Sequence, residues 1–199
     1  MLSQIDTLLF PDECEVLEVD NNRYVFPIHK NGSTSLHNSG FRKLTLDEVR
    51  ELSLVEVFVR DPIARYISGV TRFIDDTGFD YYTVLHFVEN YLFLNNHYAP
   101  QFYWLLNLQR FTRAKILLRP MSDLQTVTKL HDNQSQKNRL VSANEDKIQF
   151  YLKLDQVLVG ELLGKTVTFK QIVQTVKHRY PEVYKEVIQR SIDLCNVLV

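Results

Sequence analysis

The residues best suited to chemistry lie in a polar turn that follows a short apolar run. The run 24–28 predicts a buried strand, and the turn after it contains Lys30, Asn31, Gly32, Ser33, Thr34 and Ser35. Gly32 permits a tight turn and lets the backbone come close to a ligand. A helix beginning at Ser33 would present unpaired N–H groups beside three hydroxyls and the Lys30 ammonium. Together these groups predict a binding site for a phosphate or a sulfate.

The turn is not a Walker A loop. That pattern places its lysine directly after the second of two glycines, whereas Lys30 precedes the single glycine of this turn. On its own, such a turn could hold any phosphate or sulfate group. A more specific prediction therefore needs a second contact elsewhere in the chain.

Arg60 and Ser68 supply the second anion-binding pattern, around the start of another predicted helix. Arg60 follows the apolar run Leu54–Val59, while Asp61 and Pro62 are suited to cap and begin the helix. Ser68 lies about two turns further on, ~10 Å along the axis at 1.5 Å per residue. An arginine fork with a nearby hydroxyl suits a monoester phosphate. The alternative is that Arg60 pairs with an acidic neighbour and that Ser68 faces solvent.

The spacing of apolar residues predicts which side of this helix faces the core. One stripe, at helical spacing, contains Ile63, Tyr66, Ile67, Val70, Phe73 and Ile74. Ala64, Arg65, Ser68 and Arg72 are expected on the opposite side, away from the core.

Predicted strands at 15–19, 23–28, 54–59 and 115–118 alternate with predicted helices along the chain. Helices are expected at 33–39, after Thr45, from Pro62, after Asp80, from Pro100, and over 121–130, 145–163 and 169–179, with a last one from Pro181. This order predicts one α/β domain over residues 1–199, with three α/β/α layers, a mostly parallel central sheet and a helical C-terminal part. Ligands bind such sheets at the carboxyl ends of strands, where Lys30 and Arg60 both fall.

Composition limits the classes of function. The 199 residues carry a net charge of −1, which gives no support to nucleic-acid binding, so an anion site must be local. No apolar run is long enough to span a membrane, and the acidic N-terminal stretch does not resemble a signal peptide, so we expect a cytoplasmic protein. Cys14 and Cys195 belong to no C-x-x-C pair or ligand cluster, and we expect no metal site.

The two patterns together resemble the PAPS-dependent sulfotransferase family, in which PAPS is 3′-phosphoadenosine 5′-phosphosulfate. HKNGSTSL (29–36) resembles the phosphosulfate loop of that family, and VFVRDPIARYISG (57–69) resembles its 3′-phosphate loop. NHYAPQ (96–101) and VTFKQIVQTV (167–176) are similar to features of the carbohydrate and related sulfotransferases. One departure is His29, where many members have proline.

The resemblance implies a P-loop-NTPase-like fold that moves a sulfuryl group from PAPS to an acceptor hydroxyl or amine, with carbohydrates among the candidate acceptors. Lys30 would contact the phosphosulfate and stabilise the leaving phosphate. The backbone from Asn31 to Ser35, with the hydroxyls of Ser33, Thr34 and Ser35, would cradle the 5′ end. Arg60 and Ser68 would hold the 3′-phosphate. The acceptor and the oligomeric state stay open.

His97 is the first candidate for the base that takes the acceptor proton, because it matches a recurrent family histidine before Pro-Gln. A structural histidine that fastens its loop is the equal alternative. His37 and then Asp123 are the next candidates. The polar loop 131–139, with Lys137 and Arg139, is expected either to be a solvated loop or to close over the nucleotide. The competing functions are a catalytically silent nucleotide-binding or interaction module and a small nucleotide kinase.

Overall fold

The computed structural model describes residues 14–91, 97–129 and 141–188. Six strands form one sheet: β1 (Leu17–Asp20), β2 (Arg23–Val25), β3 (Arg42–Lys43), β4 (Leu54–Val59), β5 (Lys115–Pro120) and β6 (Thr166–Val167). Their order across the sheet is β3-β1-β2-β4-β5-β6. The parallel pairings join β2 to β4 and β4 to β5, while β1–β2, β1–β3 and β5–β6 are antiparallel. The α/β class is confirmed, but the sheet is mixed instead of mostly parallel.

The helices are α1 (Ser33–Asn38), α2 (Leu46–Arg50), α3 (Pro62–Thr77), α4 (Tyr81–Tyr91), α5 (Gln101–Phe111), α6 (Asp146–Gly160), α7 (Phe169–Arg179) and α8 (Pro181–Val183). A 3-10 helix (Met121–Thr126) follows β5, and a π-helical turn (Tyr184–Ile188) continues α8. The helix predicted over 121–130 is therefore a short 3-10 turn, and the one predicted over 145–163 is shorter at both ends.

Local capping explains why several helices begin where the sequence predicted. Asp61 accepts the N–H of Ala64 at 2.7 Å and begins α3, with Pro62 as its first residue. Thr45 and Thr168 each form a capping box with the third helical residue, Glu48 and Gln171. These contacts join residues three apart, so the sequence alone is enough to predict them.

The strand predicted over 23–28 ends early, at Val25. Phe26 still donates its N–H to the carbonyl of Glu56 at 3.0 Å, but Pro27 has no N–H with which to continue the ladder. The chain therefore leaves the sheet before Lys30. Residues 26–28 are buried and His29 is partly exposed, and together they connect β2 to the polar turn.

Helices cover both faces of the sheet, as side-chain alternation along β4 indicates. Val55, Val57 and Val59 belong to a large core with side chains from α3, α5, α6 and α7. Phe58 points the other way, into a smaller core with Leu36 of α1 and Leu124 of the 3-10 helix. The short α1 is thus held against the sheet by packing, with Leu36 as its buried anchor.

Candidate anion-binding site

The two predicted anion loops meet at the carboxyl ends of the neighbouring parallel strands β2 and β4. Arg60 donates a hydrogen bond from Nη1 to the main-chain carbonyl oxygen of Lys30 at 3.1 Å. Because this carbonyl belongs to Lys30, the Arg60 guanidinium lies beside the turn that carries the Lys30 ammonium. The structure therefore brings together Lys30 and Arg60, which are separated by thirty residues in sequence.

The turn contains two residues in the left-handed region. Gly32 has φ 74°, and a Cβ placed there would overlap the side chain of Leu124. Lys30 has φ 68°, which costs a residue with a side chain about 1–3 kcal/mol. The hydrogen bond from Arg60 holds Lys30 in this conformation. The next residue, Asn31, also holds it, because the Asn31 side chain is bonded to Phe58 and Gln101.

Asn31 points into the protein and not toward a ligand. It is fully buried, and Nδ2 donates to the Phe58 carbonyl at 2.8 Å and to Gln101 Oε1 at 2.6 Å. Its backbone N–H donates to the Ile28 carbonyl at 3.0 Å. In this structure the N–H that was predicted to contact the anion is engaged in closing the turn. Asn31 instead fastens the turn to β4 and α5.

The three hydroxyl residues after Gly32 differ in exposure. Thr34 is exposed, Ser33 is partly exposed and Ser35 is buried. The carbonyl of Ser35 accepts the hydroxyls of Ser39 at 2.8 Å and Thr128 at 3.2 Å, which ties α1 to the segment after the 3-10 helix. Of the three, Ser33 and Thr34 can present hydroxyls to a ligand at the surface, whereas burial gives Ser35 a place in the packing of α1.

A buried amide and carboxylate fix the backbone of Arg60. Gln101 accepts the N–H of Arg60 at 2.9 Å and donates from Nε2 to the Arg60 carbonyl, also at 2.9 Å. Asp155 of α6 accepts the backbone N–H groups of Gln101 at 2.8 Å and Phe102 at 3.0 Å, and Gln101 Nε2 at 3.2 Å. Burial raises the pKa of Asp155, and the nearby Arg65 opposes that rise. Gln101 thus connects the Arg60 loop, Asn31 and α6.

Sequence reasoning missed the pair Gln101 and Asp155 as parts of the site. Asp155 had a detectable signal, because it lies at helical spacing with apolar residues such as Leu152 and Leu158 on the buried side of α6. A carboxylate in such a stripe indicates a buried polar partner. Gln101 lay within the NHYAPQ segment but has no local signal of its own, since its partners come from β4, α6 and the Lys30 turn.

Arg65 overturns the expectation about the sides of α3. It was expected on the side away from the core, but only 1% of its surface is exposed. Nε donates to the carbonyl of His29 at 3.2 Å and Nη1 donates to the carbonyl of Ala99. This side of α3 is covered by the Lys30 turn and by the residues before α5. Burial lowers the pKa of Arg65 to about 10, opposed by Asp155, so the guanidinium stays charged at neutral pH.

Ser68 lies one turn beyond Arg65 on the same side of α3 and is partly exposed. Arg72 follows one turn later, is exposed and pairs with Asp76 at 2.8 Å. Arg65 on this side of α3 donates to the carbonyl of His29, so this side packs against the turn that contains Lys30. Ser68 lies between Arg65 and Arg72 on the same side.

His97 lies near Lys30, although sixty-seven positions separate them in sequence. Burial lowers the pKa of His97, and the positive charge of Lys30 is the next cause, while Asp76 opposes the shift. The imidazole is therefore neutral at pH 7 and able to accept a proton. Its ring meets that of His29 edge-on, with 5.7 Å between centroids, and His29 in turn stacks on Trp104 at 4.9 Å.

The other two candidate bases contact charged side chains of other residues. His37 Nδ1 lies 3.1 Å from a carboxylate oxygen of Glu15. Asp123 lies 3.3 Å from Arg119, whose Nε also contacts Glu56 at 2.9 Å. The geometry favours His97 over both. The predicted loop 131–139, with Lys137 and Arg139, lies outside the described residues.

The site has a local excess of positive charge. Burial lowers the pKa of the Lys30 ammonium, and the cations Arg72, Arg60 and Arg65 lower it further, with Asp76 opposing them. Several cations held this close to one another repel, and a bound anion relieves that repulsion. The arrangement can therefore bind a multiply charged anion in a protein whose net charge is only −1.

No group of three or more His, Cys, Asp or Glu side chains within the described ranges could hold a metal ion. In the same ranges, no helix has the length and apolar character needed to cross a membrane. Cys14 is buried, and burial raises the pKa of its thiol to about 12, so it is not a reactive nucleophile. Cys195 lies outside the described residues.

Comparison with known proteins finds no matching family model, curated protein or solved structure.

Proposed function

We propose that the protein is a sulfotransferase that moves a sulfuryl group from PAPS to an acceptor hydroxyl or amine, with a carbohydrate among the candidate acceptors. The observation that carries the proposal is the hydrogen bond from Arg60 to the carbonyl of Lys30. It joins the loop that resembles a phosphosulfate loop to the loop that resembles a 3′-phosphate loop. A single nucleotide with a 3′-phosphate and a 5′-phosphosulfate presents one anionic group to each.

Lys30, Ser33 and Thr34 bind the phosphosulfate end in this proposal. The first N–H groups of α1 add to them, because Gly32 at the N-cap has no side chain with which to occupy those donors. Arg60 and Ser68 bind the 3′-phosphate. The Lys30 carbonyl accepts one N–H of the Arg60 guanidinium, and other donors of the same planar group bind the nucleotide in this proposal.

The transfer requires in-line attack on sulfur. The acceptor oxygen or nitrogen forms a bond to sulfur while the bond between sulfur and the 5′-phosphate oxygen breaks. The acceptor proton moves to the neutral imidazole of His97, and the electron pair of the broken bond leaves on the phosphate oxygen. Lys30 stabilises the charge that develops on that oxygen. Positioning and charge stabilisation supply the remaining rate enhancement.

The main alternative is a catalytically silent relative that binds the nucleotide without transferring the sulfuryl group. The engaged N–H of Asn31 and the buried side chain of Ser35 favour it, because both reduce the groups that the turn presents to the phosphosulfate. The electrostatic effect of Lys30 on His97 favours the enzyme, because a base must lie near the group that binds the leaving phosphate. A nucleotide kinase is the least favoured function, since the Walker A lysine is missing.

Ligand-dependent stability and product release test the proposal. Adenosine 3′,5′-bisphosphate (PAP) at 100 times its Kd should raise the free energy of unfolding by about 2.7 kcal/mol. ATP and AMP, which lack the 3′-phosphate, should have much smaller effects at the same concentration. Equal stabilisation by PAP, AMP and ATP would contradict the nucleotide assignment.

The enzymatic step is tested by incubating PAPS with panels of sugars, phenols and amines and measuring PAP release. We expect release that depends on an acceptor and falls by about 10²–10⁴-fold in His97→Ala. PAP binding without PAP release from any acceptor would favour the silent relative.

A further inference from the structure

One buried guanidinium links the two segments that carry the proposed chemistry. The Lys30 loop (29–35) begins at His29, whose carbonyl accepts Arg65 Nε at 3.2 Å. The His97 segment (97–101) contains Ala99, whose carbonyl accepts Arg65 Nη1. Arg65 thus contacts the residue before the proposed leaving-group lysine and a residue two positions after the proposed base.

The two bonds depend on the shape of the arginine side chain. The guanidinium presents Nε and Nη1 in a rigid planar fork, so both carbonyls are held at a fixed separation. A lysine at this position keeps the charge opposite Asp155 but has a single nitrogen and cannot reproduce the fork. Burial of the whole side chain excludes water as a substitute donor from bulk solvent.

Both segments have separate anchors as well. The Lys30 loop is fastened through Asn31, and the His97 segment through the N–H of Gln101 on Asp155. Asn31 also joins the two segments directly, because its Nδ2 donates to Gln101 Oε1 at 2.6 Å. That bond is between two side chains, whereas Arg65 bonds to main-chain carbonyls of both segments.

We propose that Arg65 is a positioning residue that holds the Lys30 loop and the His97 segment at a fixed relative distance. The inference rests on the proposed function for its catalytic consequence: Lys30 and His97 must meet opposite ends of one sulfuryl transfer. Arg65 itself touches no reacting atom. Its effect on turnover is exerted through the two carbonyls.

The first experiment compares Arg65→Lys with Arg50→Lys, an arginine-to-lysine change at an exposed site on α2. Hydrogen exchange is measured at the backbone amides of Asn31 and Gln101, which are both hydrogen-bonded in the native protein. In Arg65→Lys, both amides should exchange faster by a similar factor, while Arg50→Lys should change neither. Acceleration at one amide only, or at neither, would overturn the proposal.

The second readout separates positioning from general structural support. In Arg65→Lys, kcat for PAP release should fall by about 100-fold, the loss expected from a small misplacement of reacting groups. Affinity for PAP should change little, because Arg60 and Lys30 are retained. Losses of equal size in kcat and in affinity would overturn the positioning role.

A third measurement uses Asn31→Ala, which keeps Arg65 and removes the direct Asn31–Gln101 bond, in case Arg65→Lys does not fold. Native-state exchange in low urea should still show the amides at position 31 and Gln101 opening in one common reaction that precedes global unfolding. Separate openings, or opening only on global unfolding, would overturn the proposal. If the protein releases no PAP from PAPS, the proposed function fails, and the two exchange experiments alone decide the role of Arg65.

Discussion

Arg60 donates a hydrogen bond from its side chain to the main-chain carbonyl of Lys30, at 3.1 Å. Its own backbone N–H and carbonyl are both bound by the side chain of Gln101. The residue proposed to hold the 3′-phosphate is therefore fixed through its main chain and also fixes the loop proposed to hold the phosphosulfate. A nucleotide that spans both loops meets an arginine and a lysine backbone that are already held in place, which reduces the ordering cost of binding.

Arg60→Ala should remove the preference for a 3′-phosphate. Hydrogen bonds to charged groups contribute about 1.5–3 kcal/mol, so PAP affinity should fall by roughly 10–100-fold. AMP affinity should fall much less, because AMP lacks the group that Arg60 binds. Calorimetric titration of both nucleotides measures the difference, with the exposed Arg50→Ala as the control. Equal losses for PAP and AMP would show that Arg60 acts only by supporting the Lys30 turn.

Replacing Lys30 by glycine should separate catalysis from stability. Lys30 lies at φ 68°, and relief of this strain, about 1–3 kcal/mol, exceeds the roughly 0.5–1 kcal/mol entropic cost of a glycine. Lys30→Gly should therefore unfold at a higher denaturant concentration than Lys30→Ala, which keeps the strain. Both variants should lose turnover by about 10²–10³-fold.

The two Lys30 variants also test leaving-group stabilisation. If Lys30 acts chiefly on the developing charge, turnover falls by more than PAP affinity in both variants. Steady-state kinetics and PAP titration on the same preparations give the comparison. A glycine variant less stable than the alanine variant would contradict the strain argument, and equal losses of turnover and affinity would contradict the catalytic role.

Features that depend on near neighbours in sequence were predictable. The bounds of β4 and α7 agree with their predictions, because apolar runs and caps such as Asp61 and Thr168 act within a few residues. The strands β3 and β6 were missed, since two residues carry no periodic pattern. β3 pairs with β1 and β6 pairs with β5, and a pairing with a strand that is distant in sequence cannot be predicted from local residue patterns.

The proximity of Lys30 and Arg60 was predictable, because each follows a predicted strand and such residues meet at one edge of the sheet. A contact was not predictable where the partner is remote and has no such pattern. Arg65 was expected on the exposed side of α3 because no local feature indicates that carbonyls 36 and 34 positions away cover it. Asn31 was expected to contact the anion for the same reason, since its partners on Phe58 and Gln101 come from other elements.

The partly buried imidazole of His29 should make stability depend on pH. Burial lowers the pKa of His29 from 6.5 to about 4, with His97 and Arg65 contributing to the shift. Below pH 6.5 the unfolded chain therefore binds a proton that the folded protein does not bind. The free energy of unfolding is therefore unaffected by this proton above pH 6.5. It decreases as the pH falls from 6.5 toward 4, by at most about 1.4 kcal/mol per pH unit.

His29→Gln should reduce this dependence. Urea unfolding at pH 7 and pH 5 gives the change in the free energy of unfolding, and we expect a smaller change in His29→Gln than in the wild type. His178→Gln is the control, because His178 is exposed near the end of α7 and should keep the wild-type change. If His29→Gln and the wild type lose equal stability between the two pH values, His29 is not the group responsible.

Gly69 of α3 packs against the backbone of the His97 segment, and a Cβ placed there would overlap the carbonyl oxygen of His97. Gly69→Ala should therefore displace that segment, lower the free energy of unfolding by about 1–3 kcal/mol and reduce kcat more than PAP affinity. Gly160→Ala is the matched control, because Gly160 ends α6 and a Cβ there meets no atom within 4 Å. This change should raise the free energy of unfolding by about 0.5–1 kcal/mol. Denaturant unfolding and PAP release measure both variants. Unchanged kcat in Gly69→Ala would mean that the position of His97 does not limit turnover, and another group would then have to accept the acceptor proton.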